Sequence, residues 1–314
     1  MIDFFDNHYN SIVEKNKYLK ILRFYSVKRY LIIIAANFFL PIYFKLTSTN
    51  PLYKICPVNI DKCKVIVSLT SFPARINRVY IAIESILRQK NKPDMIILWL
   101  SREQFNTKES LPKNLLRLEK RGLTIEIVEG DLKSHKKYFY TLKKFPESFM
   151  VTIDDDIIYP SNMISELLDL HRKYPNAVIA RYATRICSKN NVILPYKTWL
   201  NYYYQNEPEY NIFFGSGGGT LFPPYSLPEV TLNEDIFTSL CFSADDVWLN
   251  AMCRINKIKV MKTRHSCCSI LPILNKNKTS LSIKNIDDGL NDNQIDSIRK
   301  YFINAVGIDP FSDE

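Results

Sequence analysis

The stretch Phe149–Asp156, FMVTIDDD, decides how this chain is read. FMVTI is a short, largely apolar run of the kind that forms a strand buried on both faces. Three carboxylates follow it without a break. Adjacent unpaired carboxylates repel, and burying them is costly. A divalent cation would relieve that cost, and hard oxygen ligands suit Mg²⁺ or Mn²⁺, which also bridge phosphates. A solvated acidic loop, or a cap for the helix that follows, would use the same residues.

Upstream, KVIVSLTSF from Lys64 reads as a buried strand ending in polar turn residues. Arg78–Gln89 carries Val79, Ile83, Ile86 and Leu87 at helical spacing. Met95–Ser101 and Leu123–Gly130 read as further strands, with a short helix at Leu115–Lys120 and another at Lys136–Phe145. FMVTI is then the fourth strand. Strand alternating with helix predicts an α/β fold with a mostly parallel sheet flanked by helices. Open sheets of this kind bind ligands outside the carboxyl ends of their strands. Thr70–Arg75, Ser101, Asp131–Lys137 and Asp154–Asp156 are therefore expected to meet at one edge. Downstream, Ser161 is placed to cap a helix over Met163–Tyr174, Asp245–Ile255 reads as helix, Ile258–Met261 as strand, and Asn293–Ile303 as helix.

Only 8 of the 314 residues are glycine, and four of them fall in GSGGG, Gly215–Gly219. Consecutive glycines allow a backbone to approach a ligand closely. No Gly-Lys-Ser/Thr follows, so this is not a phosphate-binding P-loop; an ordinary tight turn is the plainer reading. In SADDVWLNAM, Ser243–Met252, Ser243 and Asp246 have capping-box spacing, and Asp245 and Asp246 suit a helix start. A carboxylate at a site edge can instead remove a proton from a hydroxyl. Lys136 and Lys137 could pair with a diphosphate or remain ordinary surface lysines. His265 alone is a weak signal. The acid run does not fit Asp-x-Asp-x-Thr/Val or Asp-Asp-x-x-Asp, because Ile158 occupies the last position of each.

Lys plus Arg (42) exceed Asp plus Glu (32), a surplus that favours anionic partners. No dense arginine patch or zinc-finger spacing points to nucleic acid. The seven cysteines are scattered without a C-x-x-C pair, which suits reduced thiols in a cytoplasmic protein. Residues 1–55 hold eight Lys/Arg against three Asp/Glu and include the apolar run Leu31–Phe44. As a helix that run reaches roughly 21 Å, short of a bilayer's roughly 30 Å core, and Pro41 interrupts it. It is either a membrane-interface segment, with contact through residues 15–45, or a helix packed on the catalytic domain or a partner subunit. The chain divides into a basic, apolar helical segment (1–60), a catalytic domain (61–270) and a tail with one helix (271–314).

Taken in order, VIVSLTSFPARI, KPDMIILWLS, DLKSHKKY, TIDDDIIYP, GGGTLFPP, ADDVWL and LNDNQ resemble the GT-A class of nucleotide-sugar-dependent glycosyltransferases, in particular bacterial family-2-like enzymes of capsule and lipopolysaccharide synthesis. The resemblance runs from about Lys64 to Asp296. It implies a GT-A, Rossmann-like fold and a UDP-sugar or related nucleoside-diphosphate-sugar donor. It also implies Mn²⁺ or Mg²⁺ held by Asp154 and Asp156, with His265 completing the shell. Thr70, Arg75 and Asp131 would lie near the nucleoside, with Lys136, Lys137 and Asp155 beside the phosphates. Gly217, Gly218 and Gly219 would approach the transferred sugar or the acceptor. Asp246, or else Asp245, would be the base on the hydroxyl of a glycan or lipid-linked acceptor, giving inversion. The acidic element has Asp245 where such enzymes usually carry Glu. The implied location is the cytoplasm, at the inner face of the membrane; self-association is left open. A sugar-nucleotide nucleotidyltransferase would carry a glycine-rich basic loop after the first strand, where this chain reads LTSFPAR. A non-catalytic carbohydrate-binding scaffold would not need Asp154–Asp156 and Asp246 together.

Overall fold

The structure, a computed structural model, describes residues 1–12, 18, 20, 23–55, 65–190, 192–200, 205–263, 270–275 and 289–312. Helices α1 (Ile2–Asn10) and α2 (Phe24–Leu46) precede strand β1 (Val65–Thr70). There follow α3 (Val79–Leu87), β2 (Met95–Ser101), α4 (Lys113–Leu116), β3 (Leu123–Val128), α5 (Lys136–Lys144) and β4 (Phe149–Ile153). Next come β5 (Ile157–Ile158), α6 (Met163–Lys173), β6 (Val178–Ala180), β7 (Ala183–Arg185), β8 (Ser188–Lys189), β9 (Val192–Ile193), β10 (Ile212–Phe214) and β11 (Gly218–Phe222). Helices α7 (Glu234–Cys241) and α8 (Asp245–Ile255), strands β12 (Val260–Lys262) and β13 (Leu271–Pro272), and helix α9 (Leu290–Val306) complete the order.

The sheet is seven-stranded in the order β12-β6-β11-β4-β1-β2-β3. Its pairs are parallel except those of β11, which runs antiparallel between β4 and β6. The chain moves outward from β1 to β3 and then returns to lay β4 on the other side of β1. That reversal is a topological switch point, where a crevice opens beyond the strand ends. Antiparallel β11 brings its first residue, Gly218, level with Ile153 at the same edge. The glycine window therefore joins the acid run because one strand is inverted.

Side-chain alternation along β4 fills both faces. Val151 and Ile153 join one core with Val67, Leu69, Leu98 and helix α3, while Met150 joins a second with Phe139, Phe222 and Trp248. Helix α9 lays Ile295, Ile298 and Phe302 into that second core, so the polar tail ends in a packed helix. Every residue of α3 except Tyr80 is buried. Its inner face meets the sheet, and Ile81 and Ala82 on its outer face meet Ala36, Leu40 and Phe44 of α2.

Helix α2 extends well beyond the Leu31–Phe44 run and passes through Pro41. An internal proline costs about 3 kcal/mol. Burial of Ala36 and Leu40 before it and Phe44 after it keeps both halves on one surface and offsets that cost. Helix α1 is tied down as well. Asp3 accepts hydrogen bonds from Ser161 N (2.8 Å) and Ser161 Oγ (2.6 Å), and Asp6 pairs with Arg181. Ser161 therefore does not cap α6; Asn162 holds that position, because the Asp3 carboxylate takes the Ser161 hydroxyl.

Buried Glu84 of α3 is neutralised by Arg88 and by Arg121 at 2.7 Å. Arg88 also stacks 4.4 Å from the rings of both Phe44 and Tyr53 and donates to Thr47 Oγ1. Arg88→Ala leaves the buried Glu84 Oε2 without its guanidinium partner and removes the clamp on α2. A loss of about 3 kcal/mol is expected in urea unfolding, with faster amide exchange over residues 36–44.

Candidate active site

Register carries β1 and β4 past their ends side by side. Val65 pairs with Phe149 and Ser68 with Thr152, and Ser71 next reaches Asp155. Its Oγ donates to Asp155 Oδ2 at 2.5 Å. Arg75, on the turn after β1, donates to Asp155 Oδ1 at 2.8 Å and lies 2.9 Å from Asp156 Oδ2. Asp155 is buried and points back into the fold, while Asp154 and Asp156 keep 42% and 31% of their side chains exposed. Only the outer two acids of the run face the crevice.

Lys137 sits in the first turn of α5 and is almost wholly buried. Its Nζ lies 2.8 Å from Asp154 Oδ1 and 3.0 Å from Asp245 Oδ2. One ammonium therefore joins the acid run to the start of α8, and the two aspartates it holds are 91 residues apart in sequence. Helix α5 is held against β1 by Ser68, whose hydroxyl donates to the Lys137 carbonyl and bonds Thr141 Oγ1. His135, two residues before Lys137 in the turn that leads into α5, is sealed in the core. Its Nε2 donates to the Cys241 carbonyl (2.9 Å), which leaves Nδ1 to accept from Tyr138 Oη (2.8 Å). Burial lowers its pKa to about 4, so this histidine stays neutral.

The glycine window forms the third wall. Ser216 donates through N to Asp246 Oδ1 (2.6 Å) and through Oγ to Asp245 Oδ2 (2.6 Å). Its carbonyl accepts from Thr152 Oγ1 at 2.6 Å. Tyr159 Oη donates to the Gly217 carbonyl (2.5 Å) and accepts from Asp154 N (2.8 Å). Gly217 is glycine for space: a Cβ there would stand 1.8 Å from Asp154 Oδ2. Gly219 is glycine for conformation, at φ +94°.

The capping-box reading of Ser243 and Asp246 is not realised. Ala244 is the cap residue of α8, Ser243 Oγ donates to Gln294, and Asp246 turns to Ser216. The sequence-named residues otherwise divide as follows. Asp154, Asp155, Asp156, Arg75, Lys137, Gly217, Asp245 and Asp246 converge. Gly218 and Gly219 lead away as β11. Thr70 donates its hydroxyl to the Trp99 carbonyl at 2.8 Å. Asp131 pairs with Lys136 and accepts from Gln104 Nε2 at 2.6 Å. His265 lies outside the described residues. Sequence reasoning did not single out Ser71, Tyr159 or Ser216. Ser71 lay within the Thr70–Arg75 turn expected at this edge, and Ser216 carried a signal as the one side chain inside the glycine run.

Among the described residues, five carboxylates (Asp154, Asp155, Asp156, Asp245, Asp246) here face two cations, Arg75 and Lys137. The consequences differ by position. Burial pushes the Asp245 carboxyl up, but the Lys137 charge beside it, with His135 and the Ser216 hydroxyl, holds it down at about 2. Burial and the neighbouring Asp245 charge raise Asp246 to about 7. Burial and Asp154 raise Asp156 to about 7 against the pull of Arg75. Among the described residues no cluster of three or more Asp, Glu, His or Cys side chains is placed to enclose a metal ion. Asp154 and Asp156 nevertheless fit a hard divalent ion. They are half-exposed and under-neutralised, and Mg²⁺-type sites commonly use one or two carboxylates, with water and phosphate supplying the rest.

No family model matches the chain, and no curated protein matches it. Among solved structures, the mannosyltransferase of Pyrobaculum calidifontis in complex with GDP-Man and Mn²⁺ is 12% identical. Its TM-score is 0.47, over 90% of this chain and 77% of its own. The 4-diphosphocytidyl-2C-methyl-D-erythritol synthase of Anaerococcus prevotii is 17% identical, with a TM-score of 0.43 over 72% and 96% of the two chains. S. aureus TarS is 13% identical, with a TM-score of 0.43 over 63% and 58%. These likenesses are remote and assign no activity.

Gly217→Ala tests the cradle. The added methyl must displace the Asp154 carboxylate, while the fold needs only a side-chain rotation. Paramagnetic broadening by Mn²⁺ of NMR signals near β4 is expected in the parent protein and lost in the variant. The thermal midpoint should move by only a few degrees, the ordinary scale of a substitution costing about 1 kcal/mol.

Proposed function

We propose that the chain is a glycosyltransferase that moves a sugar from a nucleoside-diphosphate-sugar, UDP-linked by first expectation, to a hydroxyl of a glycan or lipid-linked acceptor. The observation that carries this reading is Lys137 between Asp154 and Asp245. It brings an acid run suited to a phosphate-bound cation and a second acidic pair into one crevice, at the edge where sheets of this class bind ligands. The ordered motifs that resemble the GT-A class support the same reading. Unpaired, buried Cys241 and Cys253 suit a reducing cytoplasm, where such donors are found.

In this mechanism Asp154 and Asp156 would hold Mn²⁺ or Mg²⁺. When bound, the ion offsets charge gathering on the departing nucleoside diphosphate. Arg75 keeps the acid run in place through Asp155 and Asp156. Lys137 keeps Asp154 aligned and adds positive potential beside the phosphates. The Gly217 backbone lets the donor lie close to Asp154. Asp246 takes the proton from the acceptor hydroxyl as its oxygen attacks the anomeric carbon and the bond to the diphosphate breaks, with inversion. Asp246 is the better base of the pair because it is partly open to the crevice and has a raised pKa, whereas Asp245 is locked on Lys137 and Ser216. A base titrating near neutrality is matched to proton transfer at physiological pH.

Asp156→Ala is expected to abolish turnover and Mn²⁺-dependent UDP binding in isothermal titration, with circular dichroism unchanged. Retained activity excludes the metal role. Screening nucleotide-sugars for Mn²⁺-dependent hydrolysis identifies the donor; absence of metal-dependent binding for every nucleoside diphosphate points to a scaffold instead.

Asp246→Asn keeps the acceptor oxygen for Ser216 N but cannot take a proton. Turnover should fall about 10²–10⁴-fold with donor affinity within a few-fold. In the parent, kcat/KM should drop tenfold per unit below about pH 7 and level off above it; the variant should lose that limb. Stability follows the opposite sense. Asp246 is raised above its unfolded value, so the folded state keeps a proton that the unfolded chain loses, and stability falls as pH climbs from about 4 to about 7. The variant should therefore melt above the parent at pH 8 and together with it at pH 4, in thermal scans.

A further inference from the structure

The outer face of α2 carries an apolar stripe. Phe24, Val27, Leu31, Ile34, Phe38 and Ile42 are all exposed and recur every three or four residues, the spacing that gathers side chains on one helix face. A surface helix normally turns polar residues outward. Here both faces are apolar, and among the described residues only the inner one, through Ala36, Leu40 and Phe44, is covered.

With 23 residues and an 18-residue window of mean hydropathy 1.4, α2 is long and apolar enough to cross a bilayer. Its inner contacts rule against crossing. Asn37 donates to the Pro272 carbonyl (2.9 Å) and accepts from Leu274 N (2.8 Å) and Arg78 (3.1 Å), and Arg88 stacks on Phe44. A spanning α2 would drag β13 and α3 into hydrocarbon or lose every one of these bonds. A helix fastened along one side can offer a membrane only its other side.

Charge selects the kind of surface. From Arg23 to Leu46 the chain has Arg23, Lys28, Arg29 and Lys45 and no acidic residue. Lys28 and Lys45 are exposed near opposite ends of the helix. An apolar stripe bounded by cations matches an acyl boundary under anionic headgroups.

We propose that α2 lies in the plane of an anionic bilayer, with the Phe24–Ile42 stripe sunk to the headgroup boundary and Lys28 and Lys45 against lipid phosphates. The consequence reaches the site. Asn37 holds Pro272 and Leu274, and Ile273 N, between them, donates to the Asp156 carbonyl at 2.7 Å. One strand pair separates the bilayer surface from the acid run. Within the glycosyltransferase reading, on which this last point rests, that placement suits an acceptor carried on a lipid.

The test uses full-length protein and needs no turnover, so its failure leaves the catalytic reading standing. In flotation with phosphatidylcholine vesicles containing phosphatidylglycerol, at least tenfold more protein should float than with phosphatidylcholine alone, and added salt should reduce the difference. Leu31→Asp with Phe38→Asp should lose flotation with an unchanged thermal midpoint. Phe38→Trp should show fluorescence quenched most by lipids brominated near the headgroup, and alkaline carbonate should release the protein. The proposal is overturned if the double variant floats like the parent or if quenching is strongest at the chain ends. It is equally overturned if the parent is a dimer that does not float and the double variant is a monomer, since a second copy then covers the stripe.

Discussion

The buried ammonium of Lys137 is the interaction on which the site depends. An unpaired charge in that position would cost several kcal/mol, so the fold must supply both Asp154 and Asp245 wherever Lys137 goes. Lys137 is fixed by α5, α5 by its bond to β1 through Ser68, and the two acids by the ends of β4 and α8. Requiring the pairings together leaves little freedom in how these four elements meet. The same ammonium sets the two neighbouring acids apart. Asp245 is spent in balancing it, and Asp246, one residue on, is left with burial and a like charge. Two adjacent aspartates thus acquire opposite behaviour from one cation.

The strands and helices were legible because their signals are local. FMVTI, VIVSLT and MIILWLS read as buried strands, and the alternation with helices implied the parallel sheet. Inverted β11 was not legible. Its direction follows from pairing with β4 and β6, which no spacing along the chain records. The same limit applied to Tyr159 and Ser216. Each acts through a partner chosen by the fold: Tyr159 on the Gly217 carbonyl 58 residues away, Ser216 on a helix start 30 residues away. Ser243 and Asp246 misled for the complementary reason. Their capping spacing is local and correct in form, but both side chains found partners elsewhere that local pattern could not foresee.

The N-terminal segment shows how far composition can go. Basic flanks and an apolar run left membrane and packed-helix readings equally open, and Pro41 suggested a shorter helix than the one that forms. What resolves the geometry is α3. Its buried outer face, with Glu84 neutralised by Arg88 and Arg121, demands a cover. Helix α2 supplies that cover with one side and keeps a second apolar side. The packed-helix reading therefore describes the inner face of this helix, and the membrane reading stands as a proposal for the outer one.

The site itself divides in the same manner, into a side that is settled and a side that is not. Asp155 with Arg75 and Ser71, and Asp245 with Lys137 and Ser216, are balanced inside the fold and set the shape of the crevice. Asp154, Asp156 and Asp246 border it with more acid than the two cations found there among the described residues neutralise. Polar interiors are normally satisfied, and an excess of one charge at a crevice is tolerated when what enters brings the other. A phosphate alone would worsen the imbalance; a phosphate arriving with a divalent cation brings the missing positive charge. Under the proposed function, the arrangement suits a ligand that comes with its metal better than one that comes as a bare anion.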